Sequence, residues 1–276
     1  MYKIILSDLD GTLLDNEANI SAANINAINK IASAGVEFAV CTGRALNEIP
    51  PALLDVECIR YWGLSNGAVF MDRSKNCMDG FYISHDIINK MLDTFNDFAL
   101  NMLIVHINGC VCIDKADDYD EKFDASIKNE GVKLSTQQVA LRIENILDFI
   151  KKEENKVEMF VALFENEDAA QECKKRLCAL DPNLSITSSL PCGLDIFDKR
   201  GGKDAILKII SELTGVDARD IIAVGDGKND VAMVSEAGLG LAVENAGAEL
   251  KAAADEVICK NTDNICEYIY DKYIKN

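Results

Sequence analysis

The chain has 276 residues, enough for one large domain or two moderate ones, and its 49% hydrophobic content supports a real core. Lys and Arg number 28 against 46 Asp and Glu, a formal charge of −18, and a surface of that sign repels a phosphate backbone, so nucleic acid is a poor candidate partner. No stretch approaches the ~18 uninterrupted apolar residues of a membrane span, and the N-terminus runs into Asp8 without the charged start and apolar run of a signal peptide; both predict a cytoplasmic protein with no membrane partner.

The first part of the chain alternates continuous apolar runs with helical stretches. "KIILSDL" reads as a strand buried on both faces, "AANINAINKIASAG" as a helix beginning near Ser21, and "VEFAVCTG" and "YWGLSNGAVF" as further strands. Strands of that kind separated by helices indicate βαβ units and a parallel, Rossmann-like sheet. In "SNGAVF", Asn66 and Gly67 are themselves a tight-turn signal.

The pattern changes near residue 83. The amphipathic "HDIINKMLDTFNDFA" precedes "MLIVHING" and "CVCID", which read as hairpin-linked antiparallel strands, and "DDYDEKFDASIKNEG" after them reads as a helix. The acidic run "KADDYDEKFD" is expected to be the solvated start of that helix. "KVEMFVALF", the helix "NEDAAQECKKRLCALD" and "LSITSS" continue the pattern, so residues 83–189 are expected to form a smaller α+β domain inserted into the first. From about residue 190 the parallel pattern returns: "GLDIFD", the helix "GKDAILKIISELTG", the strand "DIIAVGDG", the helix "NDVAMVSEAG" and the strand "LGLAV". The α/β core is therefore expected to combine residues 1–82 and 190–276.

Open parallel sheets bind ligands outside the carboxyl ends of their strands. Four segments put polar residues there: Asp8 and Asp10, Thr42 and Arg44, Lys203, and Asp226 with Asn229 and Asp230. Four carboxylates in one pocket repel, at roughly 4 kcal/mol per pair ~4 Å apart for an effective dielectric near 20. A cation must sit among them, and an all-oxygen set suits Mg²⁺, which keeps waters and bridges to a substrate phosphate. One carboxylate can then act as nucleophile toward phosphorus while a second, two residues on, moves protons. Asp15 is left over as a capping residue ahead of the first helix.

These residues resemble the haloacid dehalogenase-like phosphohydrolases, in particular the Cof-type group with a large cap inserted between the second and third motifs. Asp8-Leu9-Asp10-Gly11-Thr12-Leu13 matches the DxDGT motif, Thr42-Gly43-Arg44 the second motif, and Gly225-Asp226-Gly227-Lys228-Asn229-Asp230 the GDxxND motif. The resemblance implies a phosphatase of small phosphorylated metabolites, sugar phosphates above all. Asp8 would be the nucleophile and a metal ligand, and Asp10 the acid/base with its backbone carbonyl on Mg²⁺. Thr42, Gly43, Lys203 and Asn229 would hold the phosphate, Asp226 would be the remaining ligand, and Asp230 would support the metal shell. Arg44 and Asn66 would lie close to the substrate. Lys203 is followed by Asp204 rather than the family's usual Gly, so Lys199 or Arg200 could stand in, although the offset of Lys203 to the apolar "AIL" fits better. A phosphomutase of the phosphomannomutase type is the alternative enzyme, and a phosphometabolite-binding protein without turnover the alternative class.

Blander readings apply to other features. Gly238 and Gly240 in "GLGLAVENAG" lack the third spaced glycine of a dinucleotide loop and fit close strand packing. Ten scattered cysteines, only two histidines and no CxxC point to buried reduced thiols rather than zinc, including at the pairs Cys110/Cys112 and Cys173/Cys178.

Overall fold

A computed structural model describes residues 1–117, 139–188 and 192–275. The first strand, β1 (Ile4–Ser7), is buried at every position, as its unbroken apolar run requires. Helix α1 (Ala22–Ser33) starts where Ser21 accepts a hydrogen bond from the Asn24 amide at 3.0 Å. Ahead of it, Asp15 caps a turn by accepting from the amides of Glu17 and Asn19, each at 2.9 Å. Strand β2 (Glu37–Cys41), the short α2 (Pro51–Leu54) and β3 (Ile59–Leu64) follow. The chain then reverses through Ser65–Gly67 into β4 (Val69–Asp72) and β5 (Cys77–Gly80). Asn66 at φ 55° and Gly67 at φ 83° make that reversal.

The insert opens with α3 (His85–Phe95), whose apolar face carries Ile88, Met91, Leu92 and Phe95. Strands β6 (Leu100–Ile107) and β7 (Cys110–Asp114) form the expected hairpin around Asn108-Gly109. Then come β8 (Leu141–Ile143), α4 (Ile146–Ile150), β9 (Val157–Phe164), α5 (Glu167–Leu180), β10 (Leu184–Thr187) and β11 (Gly193–Asp198). These strands form a six-stranded sheet in the order β10-β11-β9-β6-β7-β8. One sheet face packs on α3, α4 and α5 through Val105, Phe160, Phe164 and Ile196. The helix expected over "DDYDEKFDASIKNEG", with most of the acidic run before it, lies outside the described residues.

The chain returns to the first sheet with α6 (Lys203–Thr214), β12 (Ile221–Gly225), α7 (Val231–Glu236), β13 (Leu239–Ala242), α8 (Ala248–Ala253), β14 (Glu256–Val257) and α9 (Ile265–Ile269). Its order is β14-β13-β12-β1-β2-β3-β4-β5, and β1 pairs in parallel with both β2 and β12. A Cβ on Gly238 or Gly240 would collide with the backbone of Arg219 or Val234, so both glycines serve close packing.

Two compact units result: Met1–Gly43, Ile49–Asp79 and Gly202–Asn276 form one, and Arg44–Glu48 with Gly80–Gly201 the other. The boundary expected near residue 190 lies in a stretch that is not described, but "GLDIFD" does not belong with the parallel sheet. As β11 it pairs antiparallel with β9 and β10, which places it in the insert. All ten cysteines are free, and burial pushes the thiols of Cys112 and Cys173 up to about 12. Among the described residues no helix is long and apolar enough to cross a membrane.

Candidate active site

The site forms at the carboxyl end of β1. The Asp8 amide donates to the Val224 carbonyl at 3.0 Å, so the parallel pairing of β1 with β12 continues one residue past the strand and fixes where the first carboxylate leaves the sheet. Asp8 then accepts from two side chains: Thr12 Oγ1 at 3.1 Å on Oδ2 and Lys203 Nζ at 2.6 Å on Oδ1. Lys203 is the first residue of α6, and its ammonium also donates to Asp230 Oδ1 at 2.6 Å. The other Asp230 oxygen accepts from the amides of Asp226 and Gly227, at 3.1 and 2.9 Å. Asp8, Lys203 and Asp230 are all at most 3% exposed.

Buried charges must be paired, and this set is not balanced. One oxygen from each of Asp8, Asp226 and Asp230 falls within 4.8 Å of the others, against one ammonium. Burial pushes the Asp8 carboxyl well above its usual range; Lys203 pulls it back, while Asp230 and Asp226 push it further up. Asp226 rises to about 7, from burial first and the Asp230 charge second. Burial alone would lower the Lys203 ammonium, but Asp230 and Asp8 reverse that and hold it protonated. The remaining negative charge, carried entirely on carboxylate oxygens, fits a hard divalent cation. Asp8 accepts two hydrogen bonds and Asp230 three, the latter all from nitrogen donors, so of these two Asp230 keeps the lesser oxygen capacity for one.

The second motif sits at the end of β2. The Thr42 amide donates to Gly63 O at 2.8 Å, and the Asn66 amide donates to Thr42 O at 2.9 Å, so the positive-φ turn after β3 holds the Thr42 loop. Asn229 Nδ2 donates to Asn66 Oδ1 at 2.9 Å, linking that turn to the GDxxND loop. Gly43 packs here as well, since a Cβ on it would lie 3.3 Å from Asn66 Oδ1.

Asp10 lies half-buried on the turn after β1, two residues beyond Asp8. Arg44 is grouped with the other unit, where its guanidinium donates to Glu48 O at 2.8 Å. Arg200 pairs with Asp198 in that unit, and Lys203 is the cation on Asp8. Thr12, within the DxDGT match, holds Asp8 Oδ2, a contact that the motif spacing alone does not announce. The Asn66–Asn229 contact had no sequence signal, because two polar residues 163 positions apart show no spacing to read.

A family described as haloacid dehalogenase-like hydrolases matches residues 5–268. A 5-amino-6-(5-phospho-D-ribitylamino)uracil phosphatase of Bacillus subtilis is 29% identical, over 99% of this chain and 98% of that protein. A phosphoglycolate phosphatase of Methanobrevibacter smithii is 26% identical over 98% and 94%. In fold, a haloacid dehalogenase-like hydrolase of Bacteroides thetaiotaomicron superposes with a TM-score of 0.83 over 99% of this chain and all of that one, at 22% identity. With the family matched from the first strand to the last helix, the chain belongs to the haloacid dehalogenase-like hydrolases, and within them it stands with the phosphatases.

Proposed function

We propose that the chain is a Mg²⁺-dependent phosphatase of small phosphomonoesters, sugar and polyol phosphates above all, that carries the phosphoryl group on Asp8. The observation that best supports this is the Lys203 ammonium, 2.6 Å from both Asp8 and Asp230 in a buried cluster with excess negative charge. When bound, Mg²⁺ would neutralise the charge that the carboxylates and a phosphoryl group bring together. Asp8, Asp226 and the Asp10 carbonyl would hold it. Asp230, its oxygens taken by Lys203 and two amides, braces the Asp226 loop instead of ligating directly.

An Asp8 oxygen bonds to phosphorus as the ester oxygen leaves, and the Asp10 carboxyl gives that leaving oxygen its proton. Asp10, now a carboxylate, takes a proton from water as the water oxygen attacks phosphorus. Asp8 and inorganic phosphate are released. Thr42, Gly43, Lys203 and Asn229 hold the phosphoryl oxygens, Arg44 and Asn66 contact the substrate, and the insert acts as a cap whose loops choose the leaving group. The Bacillus subtilis relative is named for a phosphorylated ribityl chain and the Methanobrevibacter smithii relative for phosphoglycolate; both are small phosphomonoesters.

The test separates the two carboxylates. With p-nitrophenyl phosphate and Mg²⁺, Asp10→Asn should gain one phosphoryl group by intact mass and then stall, because loss of the base slows hydrolysis by ~10²–10⁴-fold. Asp8→Asn should gain none. Phosphorylated Asp8→Asn, or rapid turnover by Asp10→Asn, would refute the assignment.

A further inference from the structure

The proton-transfer residue Asp10 sits on a tight turn that is held from outside as well as by its own hydrogen bonds. Asp10 (φ −71°, ψ 126°) and Gly11 (φ 71°, ψ 0°) are the two central residues of a type II turn, whose second position requires positive φ. A Cβ at Gly11 would also run into Asp226 Oδ2, so glycine is required twice over. Glycine is the residue that restrains its own backbone least. The loop is closed on itself by the Leu14 amide on the Leu9 carbonyl at 2.9 Å and by Thr12 on Asp8, and the rest of the fold adds a further restraint at Gly11.

That further restraint comes from the loop after β13. Asn245 Nδ2 donates to the Gly11 carbonyl at 2.7 Å, fixing the peptide by which the chain leaves the turn. Asn245 Oδ1 in turn accepts from the Asn261 amide at 3.0 Å. Asn261 is 5% exposed, and its Nδ2 donates to Leu14 O at 3.0 Å and to Asn16 Oδ1 at 3.1 Å, further along the same loop. The loop that carries Asn245 is itself seated on the metal-side acids: the Val243 amide donates to Gly225 O at 3.2 Å and the Gly247 amide to Asp226 O at 3.0 Å. One short segment thus holds the backbone on both sides of the pair Asp10 and Asp226.

We propose that Asn245 is a positioning residue for Asp10: through Gly11 it holds the proton-transfer carboxyl at a fixed offset from Asp8 and Asp226. This rests on the role given to Asp10 above. Asn245 is exposed at the surface and contributes no core packing, so its removal loosens the turn at a modest cost in stability, from the two backbone groups it leaves unpaired, without breaking the core. The defect falls on the steps that need Asp10. Protonation of a poor leaving group and activation of water both slow, whereas phosphorylation of Asp8 by an ester with a good leaving group does not.

Asn245→Ala, Asn245→Asp, Asp10→Asn and the unaltered protein are compared with an alkyl phosphate and with p-nitrophenyl phosphate, in saturating Mg²⁺. Asn245→Ala should lose about tenfold or more in kcat/KM on the alkyl ester, short of the ~10²–10⁴-fold loss of the acid itself. Its first-turnover release of p-nitrophenolate should stay within about threefold, and intact mass should show phosphoenzyme in the steady state. Asn245→Asp keeps the acceptor for Asn261 but sets a carboxylate against the Gly11 carbonyl, so it should be at least as impaired as Asn245→Ala, with both variants still fully folded at the assay temperature by thermal melting. Equal losses on both esters with no phosphoenzyme, or no loss at all, would overturn the positioning role while Asp10→Asn still accumulates phosphoenzyme. If Asp10→Asn itself accumulates none, the reading of Asp10 fails and the inference falls with it.

Discussion

At the scale of single residues the site stores its charge in an arrangement that destabilises the metal-free fold. Asp226 is raised from an ordinary 3.8 to about 7, chiefly by burial, and Asp8 is shifted in the same direction. A carboxyl raised in the folded state keeps a proton that the unfolded chain releases. Its stabilising contribution is therefore complete at low pH and is lost as pH climbs through about 7. In chelator, the melting temperature should fall between about pH 4 and about pH 7 and level off above that, and Asp226→Asn, which stays neutral, should fall less steeply. Saturating Mg²⁺ should remove most of the difference between the two proteins, since a bound cation replaces the proton. Parallel pH profiles in chelator would mean that Asp226 is not the responsible group.

At the scale of elements, the segment Arg44–Glu48, whose own structure is a single 3₁₀ turn over Leu46–Glu48, is held to its unit chiefly through the side chain of Asn47. Asn47 Oδ1 accepts from the Val111 amide at 2.9 Å, its Nδ2 donates to Val139 O at 3.0 Å, and its amide donates to Gly109 O at 3.2 Å. Beside it Ala45 packs with Met102, Ile104, Val111 and Leu163, on the sheet face opposite the helices. Asn47→Ala leaves two backbone groups without partners and should cost about 1–3 kcal/mol in urea unfolding. Asn47→Asp keeps the acceptor for Val111 but sets a carboxylate oxygen against the Val139 carbonyl, so it should cost at least as much. Nothing in "RALNE" announces this role: five residues carry no period, and their partners lie more than sixty positions away. The hairpin turns at Asn66-Gly67 and Asn108-Gly109 were legible because positive φ selects residue types locally. Strand β11 was legible as a strand but not as part of the insert, since six mostly apolar residues look alike in parallel and antiparallel surroundings. The same split runs through the site. The convergence of Asp8, Lys203, Asp226 and Asp230 could be read from acids recurring at strand ends, whereas Asn245 is one asparagine in a loop, with no spacing to distinguish it.

At the scale of the whole molecule, a formal charge of −18 faces a substrate that is itself an anion. Lys203 lies buried between two carboxylates, so it projects little positive field outward. Encounter with a phosphomonoester should be slowed by repulsion that salt screens, as the Debye length shrinks from ~30 Å at 0.01 M to ~8 Å at 0.15 M. With Mg²⁺ saturating throughout, kcat/KM should rise over that range of an inert salt, opposite to an enzyme that steers its substrate in. A falling kcat/KM would point to a cationic approach route that outweighs the net charge.

The central place of β1 in its sheet also sets a schedule for synthesis. Ile4 pairs with Glu37 on one side and with Ile221 on the other. A ribosome adding ~5–20 residues per second needs roughly 10–45 s to make the intervening ~220 residues, and for that time one edge of "IILS" has no strand beside it. The insert is complete before β12 emerges, so a nascent chain holds a finished second unit while its first strand still waits for a neighbour. Agents that shield strand edges should therefore matter most for this protein before β12 has been made, and lose that importance once it has emerged.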